Sequence, residues 1–156
     1  MKRKSIFFVF ILLISFCHLA AGADTGNQGK YSIGVNYPGF SVRYFKSDKT
    51  AWELKMQAET NISVLGARYY RYSDLKSNNK IQLIHGVEID MVNFKGDTTE
   101  GYGAALEAFF GCEYTVAKRV ALQFDFGPAA VFLTDKTYSE VNACNLEFVI
   151  NIGVNY

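Results

Sequence analysis

The sequence predicts an all-β protein, an eight-stranded antiparallel up-and-down β-barrel that crosses a membrane behind a cleaved signal peptide. Three observations carry that expectation. The last fourteen residues, Ala143 to Tyr156, alternate without a break: Cys144, Leu146, Phe148, Ile150, Ile152, Val154 and Tyr156 share one face, opposite Asn145, Glu147, Val149, Asn151, Gly153 and Asn155. Successive side chains of a strand point to opposite sides, so this is one long strand. Similar alternating runs recur along the chain between polar turns, and no helical period appears. Glycines gather on the polar faces and bulky aromatics on the apolar ones, which decides what faces inward.

The elements follow in order. Lys2, Arg3 and Lys4 precede the apolar run Ile6 to Phe16 and the small-residue site Ala21-Gly22-Ala23, the pattern of a signal peptide over 1–23 that leaves Asp24 first. An uncleaved anchor would want about 20 apolar residues, more than this run supplies. Cys17 follows Phe16 where a lipoprotein site wants a small residue. The remaining chain, 24–156, reads as one barrel domain. Tyr31, Ile33, Val35 and Tyr37 form a first strand, and Phe40, Val42 and Tyr44 a second, separated by Pro38-Gly39. Proline cannot donate to a ladder, so two short strands joined by a turn is the reading, with one bulged strand over 31–46 as the alternative. Further strands are expected at 51–60, 62–73, 80–94, 100–115, 119–134 and 143–156. The parity of 62–73 is ambiguous, because Tyr69, Tyr70 and Tyr72 put aromatics on both sides.

Alternation alone does not separate a soluble barrel from a membrane barrel; volume does. An eight-stranded barrel is only just wide enough for side chains to fill. Gly34, Gly86, Gly103, Gly111, Gly127 and Gly153 relieve crowding inside, whereas Phe110, Phe124, Phe126, Phe132 and Phe148 would overpack it and so face lipid. Length agrees. Tyr102 and Tyr114 share a face twelve residues apart, which at about 3.3 Å per residue and a tilt near 40° spans roughly 30 Å, against an apolar band of about 25 Å plus its aromatic girdles. Trp52, Tyr31 and Tyr156 stand near strand ends, where amphipathic rings favour the headgroup level. A secreted or periplasmic β-sandwich or lipocalin-like binding module escapes the volume argument and stays as the alternative.

Composition excludes several functions. Without Lys2, Arg3 and Lys4, the 16 basic residues become 13 against 15 acidic ones, so no basic excess points to nucleic acid. Cys112 and Cys144 are too few for a disulfide framework and fall on non-neighbouring strands. No His, Cys or carboxylate group has metal-ligand spacing, and no cofactor motif is present. A lipid-modifying barrel enzyme would need a nucleophile beside a base. His85 is the one histidine after the signal, it lies on the apolar face with Leu83 and Val87, and no serine is identifiable as its partner. No catalytic residue is assigned.

Gly34-Val-Asn-Tyr-Pro-Gly39, Glu107-Ala-Phe-Phe-Gly-Cys-Glu-Tyr114, Leu122-Gln-Phe-Asp-Phe-Gly-Pro128 and Phe148 to Tyr156, together with the signal peptide, resemble the small bacterial outer-membrane β-barrel proteins of the OmpA/OmpX-like, porin-related group. The resemblance spans nearly the whole chain after the signal and specifies architecture, not activity. It implies a monomeric barrel exported through the periplasm, seated in outer-membrane lipid. It also implies that Phe148, Ile150, Ile152, Val154 and Tyr156 form the signal read by the outer-membrane assembly machinery. Tyr156 stands where a terminal Phe is more usual.

Under that arrangement Arg43, Glu53, Lys55, Glu59, Glu88, Asp90, Glu107, Glu113, Asp125 and Glu147 point into the lumen, with Arg68 as a further candidate. Ions away from bulk water must be paired or hydrogen-bonded. The reading is a salt-bridged, hydrated plug, with a weak cation-preferring passage as the sharper alternative from the acidic excess.

Overall fold

A computed structural model describes residues 26–36, 38–75, 80–137 and 141–156. The signal-peptide region lies outside the described residues. Eight antiparallel strands form one sheet closed into a barrel: β1 (Tyr31–Asn36), β2 (Gly39–Ser47), β3 (Thr50–Ala58), β4 (Ile62–Asp74), β5 (Ile81–Lys95), β6 (Glu100–Ala117), β7 (Val120–Asp135) and β8 (Val141–Asn155). Each strand pairs with the next and β8 returns to β1. Residues 31–46 are two antiparallel strands, with Asn36 opposite Gly39, as the proline and its turn require.

Register fixes the tilt. From Val35 the partners run through Phe40, Met56, Leu65, Met91, Ala104 and Phe132 to Cys144. Val35 itself pairs with Val154, ten residues further along β8. A stagger of that size inclines the strands to the barrel axis, typically by about 35–45°.

The wall is uneven. β1 has 6 residues, β2 and β3 have 9 each, and β6 has 18. Closure therefore rests on Gly34–Asn155, Val35–Val154 and Asn36–Gly153, extended by reciprocal backbone hydrogen bonds of 2.8 Å between Ile33 and Tyr156. Among the described residues, β8 from Asn142 to Ile152 has no partner on the β1 side. Because Tyr156 turns its N–H and C=O toward β1, alternation aims those of Cys144, Leu146, Phe148 and Ile150 the same way, beyond the end of β1.

Inside and outside are inverted relative to a water-soluble core. Arg43, Glu53, Arg68, Glu88, Glu107 and Asp125 are at most 2% exposed, while Leu146 is 80%, Ile152 67%, Phe148 65% and Leu54 65% exposed. The ambiguity of β4 resolves on this basis: Tyr70 and Tyr72 are buried inside and Tyr69 stands outside against Trp52, with ring centroids 4.8 Å apart. The interior also has an apolar floor of Phe45, Ala51, Tyr70, Tyr72, Ile84 and Phe109. Gly86 makes room for it: a Cβ there would collide with the Tyr69 carbonyl and the tip of the Phe109 ring.

Candidate functional site: the charged lumen

Two arginines organise the interior, one from β2 and one from β4. Arg43 Nε donates to Glu53 Oε2 at 2.6 Å, across the β2–β3 register. Its Nη1 donates to the Tyr72 hydroxyl and to Glu113 Oε2, each at 2.7 Å, and its Nη2 donates to Gln123 Oε1. The side chain thus ties β2 to β4, β6 and β7 across the lumen. All three guanidinium nitrogens donate, which is what a charge removed from water requires.

Arg68 forms the second tier. It lies 2.6 Å from Glu88 Oε2 through Nε, and its Nη2 donates to Asp125 Oδ1 at 2.7 Å. Lys55 pairs with Glu88 Oε1 and lies 3.8 Å from Asp90 Oδ1. The tiers are joined by neutral groups. Gln123 Nε2 donates to the Tyr70 hydroxyl at 3.1 Å and to Asp125, and Asn155 Nδ2 donates to Gln123 Oε1 at 3.0 Å. Tyr70 lies between the guanidinium groups, with the Arg43 carbon 4.2 Å and the Arg68 carbon 5.2 Å from its ring centroid. Arg68 also sits 4.0 Å from the centroid of Phe109, so each cation meets carboxylates at its edge and an aromatic face on its flat side.

The sequence-predicted lumen charges are brought together with two exceptions, Glu59 and Glu147; Glu59 lies past the end of β3 at the rim and is exposed. Arg43, Glu53, Lys55, Glu88, Asp90, Glu107, Glu113 and Asp125 are all buried inside. Glu147 lies opposite Ala129 on the inward side of β8 but is exposed, because β1 ends before it can form a wall across from it. Carboxylates outnumber cations in this interior: Glu53, Glu88, Asp90, Glu107, Glu113 and Asp125 against Arg43, Lys55 and Arg68. Among the described residues Glu107 meets only Asn151 Nδ2, at 3.5 Å, and Glu53 Oε1 meets no donor.

Sequence reasoning placed Asn151 on the lumen side of β8 but missed the other neutral connectors. Tyr70, Tyr72, Gln123, Asn151 and Asn155 all complete the network. The parity with Asp125 and Glu147 that put Asn151 inside would have placed Gln123 and Asn155 there as well. Nothing local distinguished Tyr70 from Tyr69.

His85 is exposed on the outer surface, opposite Arg71 and Phe110, with no serine beside it in the register. Cys112 and Cys144 are free, and no group of three metal-ligating side chains is present among the described residues. A shallow cleft of about 370 Å³ opens at the rim near Asn61, Phe94 and Lys136, away from the charged interior.

In comparisons with known proteins, no protein-family model matches the chain and no curated protein matches it.

Proposed function

We propose that this protein is an integral, non-enzymatic barrel of a bacterial outer membrane, structural in role, with a lumen filled by paired charges rather than open as a pore. The observation that carries the reading is the inverted packing. Paired arginines and carboxylates occupy the interior, and Leu54, Ile89, Leu106, Phe148, Ile150 and Ile152 are exposed outside. In water that outer surface would be a large unfavourable apolar area. Against lipid tails it costs nothing, and the closed ladder keeps most backbone polar groups paired where no water is available. Tyr31, Tyr44, Trp52 and Tyr69, consecutive across the β1–β4 register, supply the aromatic girdle at one edge.

The filled interior supports the structural role. The apolar floor and the two arginine tiers occupy the cross-section from Phe45 to Glu88, so an ion crossing it would have to break charge-assisted hydrogen bonds. In this reading residues 1–23 direct export and are removed, the chain reaches lipid as a monomer, and the β8 residues Phe148 to Tyr156 guide assembly.

Folding into lipid vesicles followed by flotation and gel electrophoresis tests this reading. The expected result is protein that floats with the vesicles and migrates differently before and after boiling. Protein that stays soluble without detergent and shows no boiling shift contradicts it. Planar-bilayer recording tests the filled lumen, and sustained discrete conductance from purified protein contradicts that part.

A further inference from the structure

We infer that the outer surface formed by β3, β4 and β5 near the rim where β1 begins holds an anionic phospholipid headgroup, with Arg71 as its principal ligand. The inference rests on the membrane reading and adds to it a place and a lipid class. Arg71 and His85 are directly opposite each other in the β4–β5 register, and both are exposed on the outside. Opposed side chains in such a pair stand about 4.5–5.5 Å apart at Cβ, close enough to share one phosphate. Around them on the same surface lie Thr50, Trp52, Tyr69, Leu83, Val87 and Phe110, none of them acidic. No ion pair is formed by Arg71 among the described residues, in contrast to Arg43 and Arg68 inside.

The position explains why a cation is tolerated there. Arg71 lies three residues from the end of β4 at Asp74, level in the register with Thr50, the first residue of β3. That is girdle height: Trp52 and Tyr69 are the adjacent pair on the same surface. A basic side chain on the lipid face is costly at mid-bilayer and nearly neutral near the interface, where its stem lies along apolar surface and its head reaches the phosphates. Val87 and Ile89, both exposed, continue β5 toward mid-belt and give an acyl chain its track.

The charge of the rims points the same way. The rim beside Arg71 exposes Lys46, Lys49, Lys118 and Arg119 against Asp48 and Asp74. At the opposite rim Glu59, Asp97, Glu100 and Asp135 outnumber Lys95 and Lys136 among the described residues. A basic edge immediately outside an aromatic girdle attracts anionic lipid. Arg71, opposite His85, is the place on that edge where a cation is also framed by rings.

Trp52 is the chain's sole tryptophan and lies beside the site, so lipid occupancy is readable without a label. The protein is folded into vesicles of phosphatidylcholine with a fixed fraction of phosphatidylglycerol, and one lipid or the other carries brominated chains that quench Trp52 fluorescence. The expected result is quenching by the brominated anionic lipid beyond its share of the bilayer, with about fivefold local enrichment for one basic side chain. Arg71→Gln should remove that excess, and Arg119→Gln, on the same rim at the β6–β7 turn, should keep it. Should Arg71→Gln fail to fold, raising the salt concentration on the wild-type chain reads the same interaction, because screening removes the excess. Equal quenching by both lipids in the wild-type chain, or an excess that persists in Arg71→Gln and in high salt, overturns the inference while leaving the membrane reading intact. Absence of quenching by either lipid removes both.

Discussion

The wall made by β1, β2 and β3 and the wall made by β5 to β8 solve the same problem differently. At about 3.3 Å per residue and a tilt near 40°, a strand of β1's length rises roughly 15 Å and one of β6's length roughly 45 Å. The tall wall is held by ladders that run its whole height, from Lys95 opposite Glu100 to Ile81 opposite Tyr114. The short wall has little ladder, closing on β8 through Gly34, Val35 and Asn36. What it has instead is Arg43, which reaches from β2 across the lumen to Glu113 and Gln123. Side-chain pairing across the interior takes over where backbone pairing around the ring runs out.

Removing that cross-tie gives the largest expected effect. Arg43→Met leaves Glu53 and Glu113 buried without their cation, and loss of one partner of a buried pair costs about 3–5 kcal/mol. Urea unfolding in vesicles, followed by Trp52 on β3, should show that loss. A change below about 1 kcal/mol, the size of an exposed pair, would mean that the short wall does not depend on Arg43.

Gly86→Val tests the tall wall, where a side chain would push into the Tyr69 carbonyl and Phe109. Overpacking of this kind costs about 1–3 kcal/mol, and the same titration measures it. Restored stability in Gly86→Val/Phe109→Ala would assign the loss to the ring, whereas no recovery would assign it to the backbone.

The two sides of β8 should differ in hydrogen exchange. Amides of Asn145, Glu147 and Val149 point to β7 and should be protected, while those of Leu146, Phe148 and Ile150 point beyond the end of β1 and should exchange faster. Equal protection of both sets would show that the wall is completed above Asn36. The smallest effect belongs to Glu147→Gln, exposed where Glu107 is buried. Its unfolding free energy should change by no more than about 0.5 kcal/mol.

How much of this was legible beforehand follows from what alternation can and cannot carry. Strands whose two faces differ in polarity, such as Ala143 to Tyr156, are readable because their period is two and their register with a neighbour does not alter it. The turn at Pro38-Gly39 is readable because proline removes a donor. The inward direction of Tyr70 was not, since tyrosine suits a girdle and a buried hydrogen-bond network equally. The exposure of Glu147 was not either, because it depends on the length of a strand more than a hundred residues away. Pairings such as Arg43 with Glu113 need the three-dimensional ring, which brings five strands to one point.

Leu106 offers the most direct measurement of the central claim, that the outer surface faces lipid. It lies in mid-β6 between Ile89 and Ala130 in the register and is 55% exposed. The unfolding free energy of Leu106→Arg in lipid vesicles should fall by about 2–4 kcal/mol, the cost of a basic side chain on the lipid face near the bilayer midplane. A change within about 0.5 kcal/mol, as for a substitution on a water-exposed surface, would contradict it.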